Sequence, residues 1–306
     1  VISDEIFAVG LDIGGTSVKS GVVKSDGTLL SESVRIDAVD AGAAADEILA
    51  SFAGALGRVL DFSQKRSLKV KGVGIAICGP FEYEKGISQI SGLDKYESLY
   101  GVNVKQALRS SLQLPPELPL LFDNDAASFA RGEVWVGAGK PYSRVIVFTM
   151  GTGVGSAFAV DGSIVKDGPG VSKLESLTLQ AYKDSILNDY LSSIYMVKRY
   201  QALTGRESSV KEMAERVQHG DKYAQQVFEE IGTELGLFLR DHHVQTFGAQ
   251  CLIFGGRISR SFELFAGAIE RALDGITCLE AILPAADIEY SGVVGAAKLI
   301  FDQDLF

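Results

Sequence analysis

Residues 6–36 read IFAVGLDIGGTSVKSGVVKSDGTLLSESVRI. An apolar run from Ile6 to Asp12 meets a turn at Gly14-Gly15, and residues 18–24 resume the apolar pattern. Asp26-Gly27 is a hairpin signal, after which residues 28–36 can run back. The stretch predicts three strands joined by tight turns. The same order returns at residues 144–166: RVIVFTM, the turn Gly151-Thr152-Gly153, VGSAFAV, then Asp161-Gly162 and a short strand. The copies differ too much for a sequence repeat. As architecture they agree: two α/β halves, each opening with a meander.

Outward from the first meander, residues 41–62 are Ala/Leu-rich with apolar spacings of three and four, which predicts a helix. Residues 70–78 and 118–122 read as short buried strands, with a helix at 104–112 between them. A helix is expected at 125–136 before the second meander. After it, residues 185–247 read as mainly helical with breaks near 204–205 and 219–220. A strand at 251–254, a helix at 259–273, an extended piece at 287–290 and a last helix at 292–301 complete the pattern.

The chain has 306 residues, enough for two domains and a sizeable core. Its 29 Lys+Arg against 39 Asp+Glu give a net charge of −10. With no dense basic run, that balance excludes nucleic acid as the expected partner. No stretch reaches the ~18 uninterrupted apolar residues of a membrane span. The first residues, VISDE, lack the basic and apolar regions of a signal peptide. The expectation is a cytoplasmic protein with no membrane partner. Cys78, Cys251 and Cys278 are widely spaced and read as small buried hydrophobes. His242 and His243 are neighbours on a helix and point about 100° apart. No metal site of Cys or His is expected.

The 34 glycines exceed the ~7% average, and many fall in three turns. In Leu11-Asp12-Ile13-Gly14-Gly15-Thr16, the paired glycines read either as a plain hairpin turn or as a nest of N–H groups for phosphate. In the second reading Asp12 can hold Mg2+ directly or through water, Thr16 offers a hydroxyl, and Lys19 a counter-charge. Thr149-Met150-Gly151-Thr152-Gly153 is a second phosphate cradle between strands, without the helix that a dinucleotide fingerprint opens. Phe254-Gly255-Gly256-Arg257-Ile258-Ser259 reads either as a strand-to-helix turn capped by Ser259 or as a platform for a base or ribose. Asp123-Asn124-Asp125 falls at a strand end and a helix start. Asp125 there is a cap, or, with phosphate cradles on both sides, the acceptor of a hydroxyl proton during phosphoryl transfer.

Five ordered elements, LDIGGT (11–16), GPF (79–81), DNDAASFARGE (123–133), MGTGVG (150–155) and FGGRIS (254–259), resemble the ROK family of sugar kinases and related repressors. The resemblance spans nearly the whole chain. It implies an α/β, two-domain, actin-like ATPase fold with an inter-domain cleft. The domains would be 1–122 plus 292–306, crossed by the last helix, and 123–291. It also implies a glucokinase-like transfer of the ATP γ-phosphate to a hexose hydroxyl, usually the 6-hydroxyl.

The roles implied by the resemblance follow residue by residue. Asp12, Gly14, Gly15, Thr16 and Lys19, with Thr149, Gly151, Thr152 and Gly153, would embrace the phosphates of ATP, with Mg2+ at Asp12. Gly255 and Gly256 would lie against adenosine. Asn124, Gly79 and Pro80 would contact the sugar, and Asp125 would be the base. Family members are often dimers, which leaves a homodimer as an option.

The chain departs from the family pattern in three places. The E-x-G-H element is reduced to one candidate, Glu175, with no His after it. The Cys-rich zinc loop is absent, so no zinc site is expected. The Glu of a Leu-Glu-x-Tyr segment is replaced by Asn188. These departures keep open an alternative, a weak or inactive sugar-binding sensor. Only five residues precede the first strand, which leaves the repressor branch with its DNA-binding domain disfavoured.

Overall fold

The computed structural model describes residues 5–172 and 177–303. Strands β1 (Phe7–Ile13), β2 (Ser17–Lys24) and β3 (Arg35–Ala38) come first, then helix α1 (Ala45–Lys65) and strand β4 (Val70–Ile77). A small hairpin, β5 (Phe81–Glu82) with β6 (Ile87–Ser88), precedes α2 (Val104–Leu112), β7 (Leu120–Asn124) and α3 (Asp125–Trp135). The second meander is β8 (Arg144–Met150), β9 (Val154–Val160) and β10 (Ser163–Val165), followed by a second small hairpin, β11 (Ala181–Tyr182) with β12 (Ser185–Ile186). Helices α4 (Asn188–Leu191), α5 (Ser193–Thr204), α6 (Val210–Gln218), α7 (Lys222–His242) and α8 (Val244–Phe247) fill most of the next stretch. Then come β13 (Cys251–Gly255), α9 (Ala266–Ala272), β14 (Ala281–Pro284) and α10 (Ser291–Phe301).

The chain divides into two compact units, Val1–Val136 with Tyr290–Phe306, and Gly137–Glu289. The first contains a five-stranded sheet in the order β3-β2-β1-β4-β7, the second a five-stranded sheet in the order β10-β9-β8-β13-β14. In each, three antiparallel strands are extended by two parallel ones. The division falls after Val136 rather than after residue 122, and before Tyr290 rather than before 292. The physical reason is α3, which packs on α10. The carboxylate of Glu133, wholly buried, accepts a hydrogen bond from Ser291 Oγ at 2.6 Å.

In the first unit α1 buries Ile48, Phe52, Leu56 and Val59 on the sheet, each worth roughly 1.5–3 kcal/mol. The opposite face receives α10. Gly21, Gly10 and Gly74 are paired across three neighbouring strands and form a row without side chains. A Cβ at Gly10 would overlap the carbonyl oxygen of Val293, and one at Gly74 that of Ala296. The glycines therefore let the helix backbone lie directly on the sheet. Where α3 crosses α10, Gly132 and Gly295 do the same for helix against helix.

The third strand is shorter and later than residues 28–36 suggest. Ser31–Ser33 is a 3-10 turn in which the buried Ser33 hydroxyl accepts from Val22 N at 2.8 Å and donates to Leu30 O at 2.6 Å. A side chain thus takes the ladder position of a backbone group. Likewise residues 288–290 form a turn, and the extended piece before α10 is β14.

The second unit is built around α7, capped by Asp221, whose carboxylate accepts from Tyr223 N and Ala224 N. Val227, Phe228, Ile231, Leu235, Phe238 and Leu239 give it the apolar stripe of a core helix. His243, 4% exposed, reaches back from its end. Its Nδ1 donates to Gly170 O at 2.6 Å and its Nε2 faces the Gln180 side-chain amide at 3.1 Å. The hairpin β11–β12 is held by Tyr182 Oη donating to Glu234 Oε2 at 2.7 Å and by the Lys183–Glu234 ion pair. These contacts tie down the stretch in which the family resemblance places a Cys-rich loop. Among the described residues, no three of His, Cys, Asp and Glu are grouped to hold a metal ion, and no helix is long and apolar enough to cross a membrane.

Candidate active site

In the first unit the parallel register sets the site. Ile13 of β1 pairs with Ile77 of β4, and Ile77 pairs with Asn124 of β7. Three sequence motifs therefore leave the sheet at one edge: Gly14-Gly15, Cys78-Gly79-Pro80 and Asp125. The carboxyl edge of such a sheet is where α/β proteins bind ligands.

The two aspartates of Asp123-Asn124-Asp125 have different surroundings. Asp123 is 6% exposed and ion-paired with Arg131 at 2.6 Å. Asn124 caps α3: its Oδ1 accepts from Ala126 N at 2.9 Å and Ala127 N at 3.2 Å. Only its Nδ2 remains to donate, and it meets Tyr83 Oη at 3.3 Å. Asp125 is the first residue of α3 and half-buried, with Oδ1 accepting from Ala126 N at 2.9 Å. Capping thus belongs to Asn124, and Asp125 carries the carboxylate presented at the edge.

Around it stand residues that sequence reasoning missed. Tyr83 Oη donates to Ile77 O at 3.3 Å, and burial pushes its phenol well above the ordinary range. Beneath it Phe81 stacks on Phe122 with ring centroids 5.4 Å apart. Burial raises the pKa of the Cys78 thiol, a hydrogen bond and charge from Lys95 oppose this, and the Asp125 carboxylate adds to it. Gly79, joined to Pro80 by a cis bond, packs on Tyr83 Oη. Tyr96 Oη donates to Gly14 O at 2.5 Å. No local signal marks Tyr96, which lies 82 positions from its partner.

The first glycine turn is closed by Gly14 N donating to Ser17 O at 3.0 Å, with Gly14, Gly15 and Thr16 exposed. Neither glycine has a positive φ, and no backbone lies within 3 Å of a Cβ built on either. Gly15 thus has room on its side-chain face, while the Gly14 N–H is engaged within the turn. Asp12, next to last in β1, has its carboxylate against Gly292, 2.7 Å from where a Cβ would sit. That places it at the N-terminus of α10. Lys19, its cross-strand partner, extends toward the Tyr290 ring, 6.0 Å from the centroid.

In the second unit the turn after β8 is closed by Gly151 N donating to Gly153 O at 2.9 Å. Nothing lies within 4 Å of a Cβ at Gly151, and Thr152 and Gly153 are exposed. The turn is braced from behind: Ser193 N donates to Gly151 O at 2.9 Å, and Asn188 Oδ1 accepts from Val154 N at 3.1 Å. Asn188, which stands where the family resemblance expects a sugar-binding Glu, thus shapes this turn.

Gly255 pairs with Thr149, and Gly256, at φ +82°, would put a Cβ 2.6 Å from Met150 N. Close packing accounts for Gly256. Ser259 is not a cap; its hydroxyl donates to Gly255 O at 2.6 Å, locking the same turn. The third glycine cluster therefore sits directly on the second. Glu175 lies outside the described residues.

The ROK family model matches residues 8–173 and 183–303. A glucokinase from Thermotoga maritima is 23% identical, covering 96% of this chain and 97% of its own. A ROK family glucokinase from Streptomyces griseus, solved in complex with glucose and AMPPNP, superposes with a TM-score of 0.76 at 22% identity, covering 96% and 98% of the two chains. A ROK family transcriptional regulator, a homologue of the E. coli MLC protein, superposes at 0.78 with 15% identity, over 97% of this chain and 78% of its own. The fold shared with these structures is the actin-like ATPase fold, and the chain belongs to the ROK family.

Proposed function

We propose that the protein transfers the γ-phosphate of ATP to a hexose hydroxyl, the 6-hydroxyl in the simplest case. The observation that carries this reading is the division of labour in Asp123-Asn124-Asp125. Arg131 holds Asp123 and capping engages Asn124 Oδ1, so Asp125 is the carboxylate available at the sheet edge where the Gly14-Gly15 turn also emerges. The glucokinases above support the substrate class.

In the reaction the acceptor hydroxyl gives its proton to Asp125 as its oxygen bonds to the γ-phosphorus. The bond from that phosphorus to the β–γ bridging oxygen breaks, and ADP leaves with the electron pair. Asn124 Nδ2 and the backbone at Gly79-Pro80 orient the acceptor. In the first unit the Gly15 N–H and the Thr16 hydroxyl bind phosphate oxygens, with Lys19 beside them; in the second unit the Gly151-Thr152-Gly153 turn, with Thr149 beside it and Gly255-Gly256 packed on it, is a nucleotide cradle of its own. The open Cβ positions at Gly15 and Gly151 fit a phosphate cradle. Asp12 is a single carboxylate beside the first turn, which suits Mg2+ bound mainly by water and substrate phosphates. When bound, the ion neutralises charge on the β- and γ-phosphates.

A coupled assay of ADP release over a panel of hexoses and amino sugars tests the reading. One sugar that stimulates ADP release well above the sugar-free rate supports it. Sugar binding without ADP release from any member favours the sensor reading, which the use of Asn188 for bracing Val154 N already motivates.

A further inference from the structure

We propose that Lys95 is the cation that hydrogen-bonds the transferring phosphoryl group, a residue contacting the reacting atoms alongside Asp125. The inference rests on the reading of the chain as an ATP-dependent kinase.

Lys95 sits on the segment between β6 and α2. Its Cδ is 3.9 Å from the Cβ position of Gly15, so the side chain lies along the first phosphate turn. Burial raises the pKa of the Cys78 thiol, the Lys95 charge lowers it and the Asp125 carboxylate raises it, so ammonium and carboxylate both act on this one thiol. Cys78 follows Ile77, whose register partner Asn124 precedes Asp125. The Lys95 side chain therefore lies along the Gly14-Gly15 turn, at the same sheet edge from which Cys78 and Asp125 emerge. A thiol is a weak acceptor, and Lys95 enters no ion pair among the described residues. A phosphoryl oxygen would be a far stronger partner within the same reach.

The segment is built to hold this position. Tyr96 is fully buried, donates its N–H to Ala41 O at 2.7 Å and its hydroxyl to Gly14 O at 2.5 Å, and meets the Phe52 ring edge-on at 5.6 Å. Leu93 N donates to Glu97 Oε1 at 2.8 Å. The residues on both sides of Lys95 are left-handed, Asp94 at φ 54° and Tyr96 at φ 59°. Side chains other than glycine rarely adopt that conformation, and such strain persists where surrounding contacts enforce it. The consequence is a held backbone that directs the Lys95 side chain along the first glycine turn.

During transfer Lys95 donates a hydrogen bond to a non-bridging phosphoryl oxygen and exchanges no proton. Its contact belongs to the γ-phosphate, which ADP lacks. Calorimetric titration with Mg·AMPPNP and Mg·ADP therefore tests the assignment in wild type, Lys95→Met and Lys95→Arg. Lys95→Met is expected to weaken AMPPNP at least about tenfold, the scale of one charge-assisted hydrogen bond, while ADP stays within about twofold. Lys95→Arg recovers part of the loss. In steady state kcat falls and the acceptor KM holds.

Equal losses for both nucleotides, or for neither, overturn the inference, as does a rise confined to the acceptor KM, which would put Lys95 on an anionic acceptor. Wild-type protein that binds neither nucleotide overturns the kinase reading and the inference together. Wild type that prefers AMPPNP while Lys95→Met keeps that preference overturns the inference alone. Thermal denaturation of each variant separates a folding defect from a binding one.

Discussion

Asp123 and Asp125 are two positions apart and share a side chain, yet their substitutions should fail differently. Asp125→Asn keeps the shape and the bond to Ala126 N but cannot take a proton. Its kcat should fall about 10²–10⁴-fold, the usual worth of a general base, with the melting temperature and nucleotide affinity unchanged. Asp123→Asn leaves Arg131, 14% exposed, without its close partner. Asp302, at 3.7 Å from Arg131 Nε, compensates only weakly. The expected cost is about 3 kcal/mol, near the lower end for breaking a buried pair, read as a shifted urea midpoint. Near-normal turnover in Asp125→Asn would remove it as the base.

At the scale of elements, α10 on the glycine row makes a second contrast. Gly74→Ala drives a methyl group into the Ala296 carbonyl, which is helix backbone and cannot rotate aside. Overpacking of this kind costs about 1–3 kcal/mol, sometimes more, and the upper end is expected in equilibrium denaturation. Gly151→Ala meets nothing within 4 Å, so stability should hold to within about 0.5 kcal/mol while Mg·ATP affinity drops. Equal destabilisation in both variants would refute the distinction between packing glycines and ligand glycines. The same contrast shows what can be read from sequence. Gly14-Gly15 and Gly151-Thr152-Gly153 are legible because a turn is a local event, as are the two meanders and the Asp123–Asp125 motif at a strand end. Gly10, Gly21 and Gly74 are illegible as a row because only strand register aligns them. Lys95, Tyr83 and Tyr96 are missed for the same reason: each joins the site edge through a partner distant in the chain or on another strand. Ser33 deceived the strand assignment because its hydroxyl does a backbone group's work.

For the whole molecule, His243 makes stability depend on pH in a predictable direction. It closes the second unit on Gly170 and Gln180, and burial pulls its pKa below the usual 6.5, with His242 adding to the effect and the Gly170 hydrogen bond opposing it. A lowered folded pKa means that the unfolded chain takes up a proton first as the pH drops. The stabilising contribution is therefore complete above pH ~6.5 and is lost as the pH falls from there toward the folded value. The slope can reach about 1.4 kcal/mol per pH unit for one proton. Below pH ~5 the carboxylates held down by hydrogen bonds, such as Asp221 and Glu230, begin to contribute in the same direction, so the informative window is pH 5–6.5. Urea denaturation at pH 7.5, 6.5 and 5.5 should show the midpoint falling across that window in wild type. In His243→Gln, which cannot titrate but retains an amide donor, the curve should be markedly flatter from a lower starting stability. An unchanged slope in that variant would mean that His243 is not the group responsible, and that the contacts at Gly170 and Gln180 tolerate a charged ring.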